Sequence, residues 1–287
     1  MNIIDDLKLQ YRTGGIINRL IFWNIGCFLI SLLFFWQFKP GHFVYPAWLS
    51  LSSSPEVFLY FPWTLLSYAF LHSGFLHLLF NMIVLNFAGR LFLTYFNPKQ
   101  LLGLYVLSAI FAGLVFVGAY SVLGRSSTIV GASAAIMAVL VAVTVYNPLM
   151  ELRLLLIGNV KLWHVTAFVL ILDLMQMAAE NTGGHIAHLA GALFGFVYVK
   201  LLQNGTDISI WVSGLTDFVV HLFTPKKSLP FRKVHKNYNT KPVRTVSKIV
   251  TKDKTQQQID EILDKISQSG YDSLTKDEKE FLFTTRK

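Results

Sequence analysis

The stretch NTGGHIAHLAGALFGFVYVKLL, residues 181–202, decides how the chain is read. From Ile186 onward it is apolar enough to lie in a bilayer, yet His185 and His188 stand at its opening. Imidazoles add nothing to the stability of a membrane helix, so this pair asks for a chemical explanation.

The rest of the chain fits that setting. Of 287 residues, 53% are hydrophobic and 14% charged, where a soluble domain carries about a quarter charged. Residues 17–202 hold almost no charge, whereas the last 60 or so are rich in Lys, Asp and Glu. This predicts an all-α polytopic membrane domain followed by a small helical tail. The single cysteine, Cys27, excludes an internal disulfide and any cysteine-rich metal cluster. It reads as a small packing residue of the first apolar segment.

A spanning helix needs about 20 mostly apolar residues. Six segments qualify or come close: 18–37, 75–96, 101–123, 131–146, 161–178 and 185–202. The last three are the shortest and the best placed to be enclosed by the others. With the N-terminus inside, the short inner loops and segment ends hold Lys8, Arg12, Arg19, Arg90, Lys99, Arg153, Lys161 and Lys200. Only Lys39 and Arg125 lie outside. The basic tail falls on the inner side too, so both termini are expected in the cytoplasm, and the membrane is the inner one if the cell is bacterial. This distribution also accounts for the net charge of +9 without nucleic acid. The first segment has no small-residue cleavage site after it and reads as a retained anchor. The outer loop at about 38–74, rich in aromatics that include Trp48 and Trp63, suits the headgroup region.

In that topology the second, fourth and sixth segments all run from outside to inside. Their polar residues cluster at the outer ends: His72, His77 and Asn81 in HSGFLHLLFN, Ser133 in GASAAIMA, and His185 with His188 in GGHIAHLAGA. His77, Asn81, Ser133 and His188 fall within roughly 10 Å of the outer surface at 1.5 Å rise per residue. Ala134, Ala138 and Ala142 recur every fourth residue, as do Ala187, Gly191 and Gly195. Small residues at that spacing let two membrane helices approach closely, which brings Ser133 beside His188. A neutral imidazole is a suitable base to activate a serine hydroxyl. The i, i+4 pair His77 and Asn81 shares a helix face and offers donors for an oxyanion. Gly131 allows a tight turn that bares backbone N–H groups toward the same oxygen.

Each residue alone has a plainer reading, since serines in membrane helices commonly bond their own backbone and histidines near helix ends commonly sit at the interface. Their coincidence at one depth favours chemistry. A zinc site is disfavoured, with no HExxH motif and no carboxylate at the outer end beside the histidines. A transporter or proton channel would favour paired mid-membrane charges and an internal repeat, and the sequence has neither. Asp173, inside the fifth segment, is a functional candidate because an acid there is costly. One reading takes it to the site itself; the expected partner is a polar neighbour or water near the gate. His185 is expected near the water boundary at the entrance, with His72 in a similar position, and Arg90 can snorkel to the inner surface.

On these motifs the sequence resembles the rhomboid family of intramembrane serine proteases over about residues 60–200. HSGFLHLLFN resembles the family's HxxxN-type second helix, GASAAI its GxS motif and AHLAGALFG its AHxxGxxxG motif, all in order. The resemblance implies Ser133 as nucleophile and His188 as base, a dyad without an acidic third member. It implies an oxyanion hole of His77, Asn81 and the Ser133 backbone N–H, and a fifth helix that gates lateral entry. It further implies single-span membrane proteins as substrates, cut near the outer end of their helix, with no cofactor or metal. The alternative within the family is an inactive client-binding protein, which would more naturally have lost Ser133 or His188. The chain departs from the family pattern at Ala134, where glycine is usual, at Met137, where an aromatic often supports the histidine, and at Trp63-Thr64, where Trp-Arg is common. Ala134 is expected to crowd the seam, and Met137 to orient His188 less rigidly.

The expected organisation is residues 1–17 as an N-terminal segment, 18–202 as the membrane domain, 203–255 as an amphipathic segment and basic linker, and 256–287 as the tail. In the linker, the Lys-, Thr- and Pro-containing run 225–255 suits the surface of anionic lipid. In the tail, Ile259, Ile262, Leu263 and Ile266 predict one apolar stripe, Gly270 a helix end, and Thr275 with Glu278 a capping box. Two such helices bury little, which favours docking onto a partner or a second copy. The resemblance here is to cytoplasmic helical tails of some bacterial rhomboids.

Overall fold

The computed structural model describes residues 2–39, 41–154, 158–176, 182–223 and 254–284. The chain divides into two units, 1–226 and 227–287. Most of the expected basic linker, and the last two residues of the expected fifth span, lie outside the described residues.

The first unit is built from helices. α1 (Ile3–Thr13) and α2 (Gly15–Phe34) are followed by the short antiparallel pair β1 (Trp36–Gln37) and β2 (His42–Phe43). That pairing is why the first apolar segment ends as helix at Phe34 and not at 37. Next come β3 (Leu51–Ser52), α3 (Pro55–Tyr60), α4 (Thr64–Ser67), a single 3₁₀ turn at Tyr68–Phe70 and α5 (Phe75–Leu93). α6 (Pro98–Leu123) starts earlier than its hydropathy suggests. Asn97 and Gln100 form a reciprocal capping box, and Pro98 occupies the first turn. After β4 (Thr128–Ile129) come α7 (Ser133–Tyr146), the hairpin strands β5 (Glu151–Leu154) and β6 (Gly158–Lys161), α8 (Leu162–Gln176), α9 (Thr182–Gln203) and α10 (Ile210–Phe223).

Four of these helices, α2, α5, α6 and α9, are long and apolar enough to cross a membrane. α7 and α8 coincide with the expected fourth and fifth segments, α7 with 14 residues and α8 with 15 among the described residues. At about 1.5 Å per residue α7 is about 21 Å long, shorter than the roughly 30 Å hydrocarbon core. It is apolar on every side and buried from Ala134 through Thr144, which suits the centre of a bundle. The outer helices turn apolar side chains outward: Leu33 on α2, Phe80 on α5, Phe168 on α8 and Leu193 on α9 are all more than half exposed. Such an apolar exterior belongs in lipid, not in water.

Two devices fix the centre. The first is the seam of α7 with α9. A Cβ placed on Gly191 would lie 2.8 Å from the carbonyl carbon of Ala134, and one on Gly195 would lie 2.9 Å from that of Ala138. The two backbones are in contact, as the four-residue spacing of small residues predicts. The second is a set of ties from the segment between α2 and α5 to the chain entering α7. β3 pairs with β4 through Leu51 opposite Ile129, and Ser53 N–H donates to the Ser127 carbonyl at 2.9 Å. Gly131 N–H donates to the Tyr68 carbonyl, also at 2.9 Å. Tyr68 in turn donates from its hydroxyl to the Ala109 carbonyl of α6 at 2.8 Å.

The second unit has α11 (Lys254–Ser269), a 3₁₀ turn at Tyr271–Ser273 and α12 (Lys276–Thr284). Gly270 ends α11 with φ +77°, a value that favours glycine. The capping box forms as expected: Thr275 Oγ1 accepts from Glu278 N–H at 3.3 Å, and Glu278 Oε2 accepts from Thr275 N–H at 2.7 Å. Lys265 joins the two helices by an ion pair to Glu278 at 2.8 Å. The stripe needs one correction. Ile262 is buried, but Leu263 is 52% exposed, because the packed face is narrow enough to take only part of the four-residue set.

Candidate active site

Ser133 is the first residue of α7. The residue before it is Ala132, so no side chain caps the helix. Its opening N–H groups are among those an α-helix leaves without internal partners, and they meet the positive end of the helix dipole. Gly131 holds this turn at φ +140°, which is why helix starts at 133 and not at 131. The position admits only glycine for a second reason: a Cβ there would lie 2.9 Å from His77 Cε1 and 3.0 Å from His77 Nε2.

Ser133 Oγ lies 2.5 Å from His188 Nε2. His188 Nδ1 lies 2.6 Å from Asp173 Oδ1, and His185 Nδ1 lies 2.7 Å from the same oxygen. The side chains of Asp173 and His185 are 8% and 10% exposed, that of His188 20%. α7 and α8 thus each deliver one group, and α9 two, to a continuous line of hydrogen bonds. The seam described above sets the spacing of Ser133 and His188.

His77, in the first turn of α5, is anchored at Nδ1. Ser73 N–H donates to it at 3.3 Å, and the Ser73 hydroxyl lies 2.9 Å away. An Nδ1 that accepts leaves the proton on Nε2, the ring edge that faces Gly131 and the serine. Asn81 lies one turn below and is buried. Its Nδ2 donates to the His77 carbonyl at 2.9 Å. His77, Ser133 and His188 line two cavities. One, of about 330 Å³, is completed by Tyr68, Thr128 to Gly131, Ala134 and Gly184, among others. The other, of about 210 Å³, is mostly apolar and runs between α5 and α8, past Phe80, Asn81, Val84, Met137 and Val169.

The positions expected from sequence gather around these two cavities: Ser133, His77 and His188 line both, Gly131 the first, and Asn81 and Met137 the second. Two placements differ. His185 is buried and bonded to Asp173 instead of standing at the water boundary, because a carboxylate inside the bundle offers it a partner that water would otherwise supply. His72 is fully buried too, its ring edge-on to that of His77 at 5.1 Å between centroids. Ala134 does not hold the seam open, since Gly191 rests directly on its backbone. Asp173 is the residue whose contacts sequence reasoning missed. The signal was present, since two histidines three residues apart on one helix need an acceptor and α8 carries one buried acid. Ser73, which orients His77, was missed as well, although it sits four residues before that histidine.

Asp173, His185 and His188 also present one ligand atom each, all within 4.8 Å of one another, a donor set that zinc accepts. Two ligands at about 2.0–2.1 Å from a tetrahedral metal stand roughly 3.3 Å apart. The 2.6 and 2.7 Å separations here are those of direct hydrogen bonds.

Comparison with protein families matches the Rhomboid domain to residues 61–204. A second match, at residues 250–283, is to a family of unknown function, DUF6576, and covers both helices of the second unit. No curated protein matches the chain. The matched domain spans half the chain and includes every residue of the site, so the chain belongs to the rhomboid family of integral membrane proteins.

Proposed function

We propose that the protein is an intramembrane serine endopeptidase that cleaves single-span membrane proteins near the outer face of the membrane. The observation that carries this reading is the 2.5 Å contact between Ser133 Oγ and His188 Nε2 at the uncapped start of α7. Ser133 is the nucleophile. As its oxygen attacks the scissile carbonyl carbon, its proton passes to His188 Nε2, and the carbonyl π pair moves onto oxygen. The resulting oxyanion is received by the Ser133 backbone N–H, by His77 Nε2–H and by Asn81. Collapse of the adduct breaks the C–N bond, and the leaving amine takes the proton from His188. Water then repeats the sequence on the acyl-enzyme.

The apolar cavity between α5 and α8 supports lateral entry of a substrate helix from lipid. Among described residues of α8 only Leu162, Thr166 and Asp173 are buried, so this helix can yield with little loss of packing. The excess of basic residues in the short loops on one side supports a cytoplasmic N-terminus. The second unit and its possible cytoplasmic partner stand outside this mechanism.

The test is labelling of the purified full-length protein in detergent by a fluorophosphonate, followed by cleavage of a single-span protein in liposomes. Ser133→Ala and His188→Ala are expected to abolish both. Correctly folded wild type that neither labels nor cleaves would overturn the proposal in favour of a client-binding, inactive protein.

A further inference from the structure

We infer that Asp173 is the third member of the catalytic line, a positioning residue that fixes the tautomer of His188 and stabilises its imidazolium. The inference rests on the serine-protease reading above and goes beyond the two-residue mechanism that the sequence implies.

The argument is one of proton counting. An ionised carboxylate can only accept hydrogen bonds. Asp173 Oδ1 lies 2.6 Å from His188 Nδ1 and 2.7 Å from His185 Nδ1, so both Nδ1 atoms carry protons. A neutral imidazole protonated at Nδ1 has a bare Nε2, and in His188 that atom lies 2.5 Å from Ser133 Oγ. The serine hydroxyl must then donate, which is the state required of a nucleophile about to lose its proton. Without the carboxylate nothing among the described contacts of His188 would choose between its two neutral tautomers.

The acid also answers the charge that develops. When the Ser133 proton reaches Nε2, His188 becomes a cation inside the bundle, where opposite charges interact more strongly than in water. Asp173 remains ionised throughout and takes no proton. Among the described residues, the other titratable groups around His188 are His185 on α9, His77 on α5 with His72 beside it, and Tyr68 ahead of α5. Tyr120 of α6 stands near Gly183 at the start of α9. None of these is an anion at neutral pH, so among the described residues around His188 Asp173 alone supplies negative charge. Its second donor, His185, holds the carboxylate against α9. This device replaces the aromatic support that the chain lacks at Met137.

The experiment compares the full-length wild type with Asp173→Asn and Asp173→Glu in detergent. One readout is the fluorophosphonate labelling rate against pH; the other is the His188 titration by NMR of ¹⁵N-histidine protein, assigned with His188→Gln and His185→Gln. Asparagine presents an N–H to Nδ1 and favours the wrong tautomer. Labelling by Asp173→Asn is expected to fall by roughly 10²-fold or more, its acid limb to move to lower pH, and the His188 titration to move with it. Asp173→Glu is expected to restore part of the rate. A purely structural role would reduce the folded fraction but leave the limb and the His188 titration unchanged, and that result overturns the inference. Zinc that perturbs both histidine resonances and accelerates labelling would make the three groups metal ligands, which also overturns it. If wild type fails to label, the protease reading falls, while the NMR titration still decides whether Asp173 holds His188.

Discussion

Two helices deliver partners to His188, and they are held in opposite ways. α7 meets α9 backbone to backbone, with Gly191 and Gly195 resting on the carbonyls of Ala134 and Ala138. α8 faces outward along most of its length, and its one buried charge, Asp173, reaches the histidines by hydrogen bonds. Ser133 and His188 are thus set by close packing. The acid is carried by a helix with few other attachments. In the proposed reaction the pair that tolerates no slack sits on the rigid seam, and the element beside the apolar cavity is the one left to give way.

The comparison breaks most severely at the seam. Gly191→Val adds a side chain where the Ala134 carbonyl already lies, so the helices must part and His188 leaves the reach of Ser133. Fluorophosphonate labelling should fall by more than about 10³-fold, as if the base were deleted, and unfolding in detergent should show a stability loss of about 1–3 kcal/mol. A smaller effect follows from His77→Ala, which leaves the seam intact and removes one of the proposed oxyanion donors. The expected cost is about 10²–10³ in the rate of peptide-bond cleavage, with the protein folded as wild type by its thermal transition.

On the α8 side, Ile171→Ala sharpens the contrast. Ile171 is 55% exposed, and its loss should leave the labelling rate within about twofold of wild type, the range of surface substitutions. A large loss of labelling there would show that α8 is packed more firmly than its outward face indicates.

The smallest effect belongs to the second unit. Glu278 accepts from Lys265 and from Thr275, which holds its carboxyl down at about 2 against an ordinary 4.5. A folded-state pKa below the unfolded value stabilises the fold above the unfolded value and stops doing so as pH falls through the folded one. Amide exchange in residues 271–284 should therefore quicken as pH falls from about 4.5 toward 2, after correction for intrinsic rates. Glu278→Gln should remove that pH dependence and leave labelling at Ser133 unaltered.

The elements that sequence resolved are those whose cause is local. Apolar length marked α2, α5, α6 and α9, four-residue spacing of small residues marked the seam, and Thr275 with Glu278 marked the cap. Ser133, His188 and His77 were legible because each stands out as polar within an apolar run at a shared depth. What escaped depends on chain far away in sequence. The first segment stops at Phe34 because Trp36–Gln37 finds a partner strand across a turn, which hydropathy cannot register. His185 was placed at the water boundary because its position within α9 is visible in sequence, whereas the acid that draws it inward lies on another helix. Asp173 could be recognised as costly, but which way α8 turns its faces is decided by packing.

The glycine seam has one further consequence, which is geometrical. His188 stands three residues from Gly191 and seven from Gly195, or about 4.5 and 10.5 Å along the helix. A wedge at the nearer glycine shifts the imidazole outward with α9. A wedge at the farther one works across a pivot at Gly191 and tips the same ring the other way. Neighbouring glycines of one seam therefore act on Ser133 and His188 as opposite arms of a lever, and the contact between the helices serves as a gauge of distance more than as a source of cohesion.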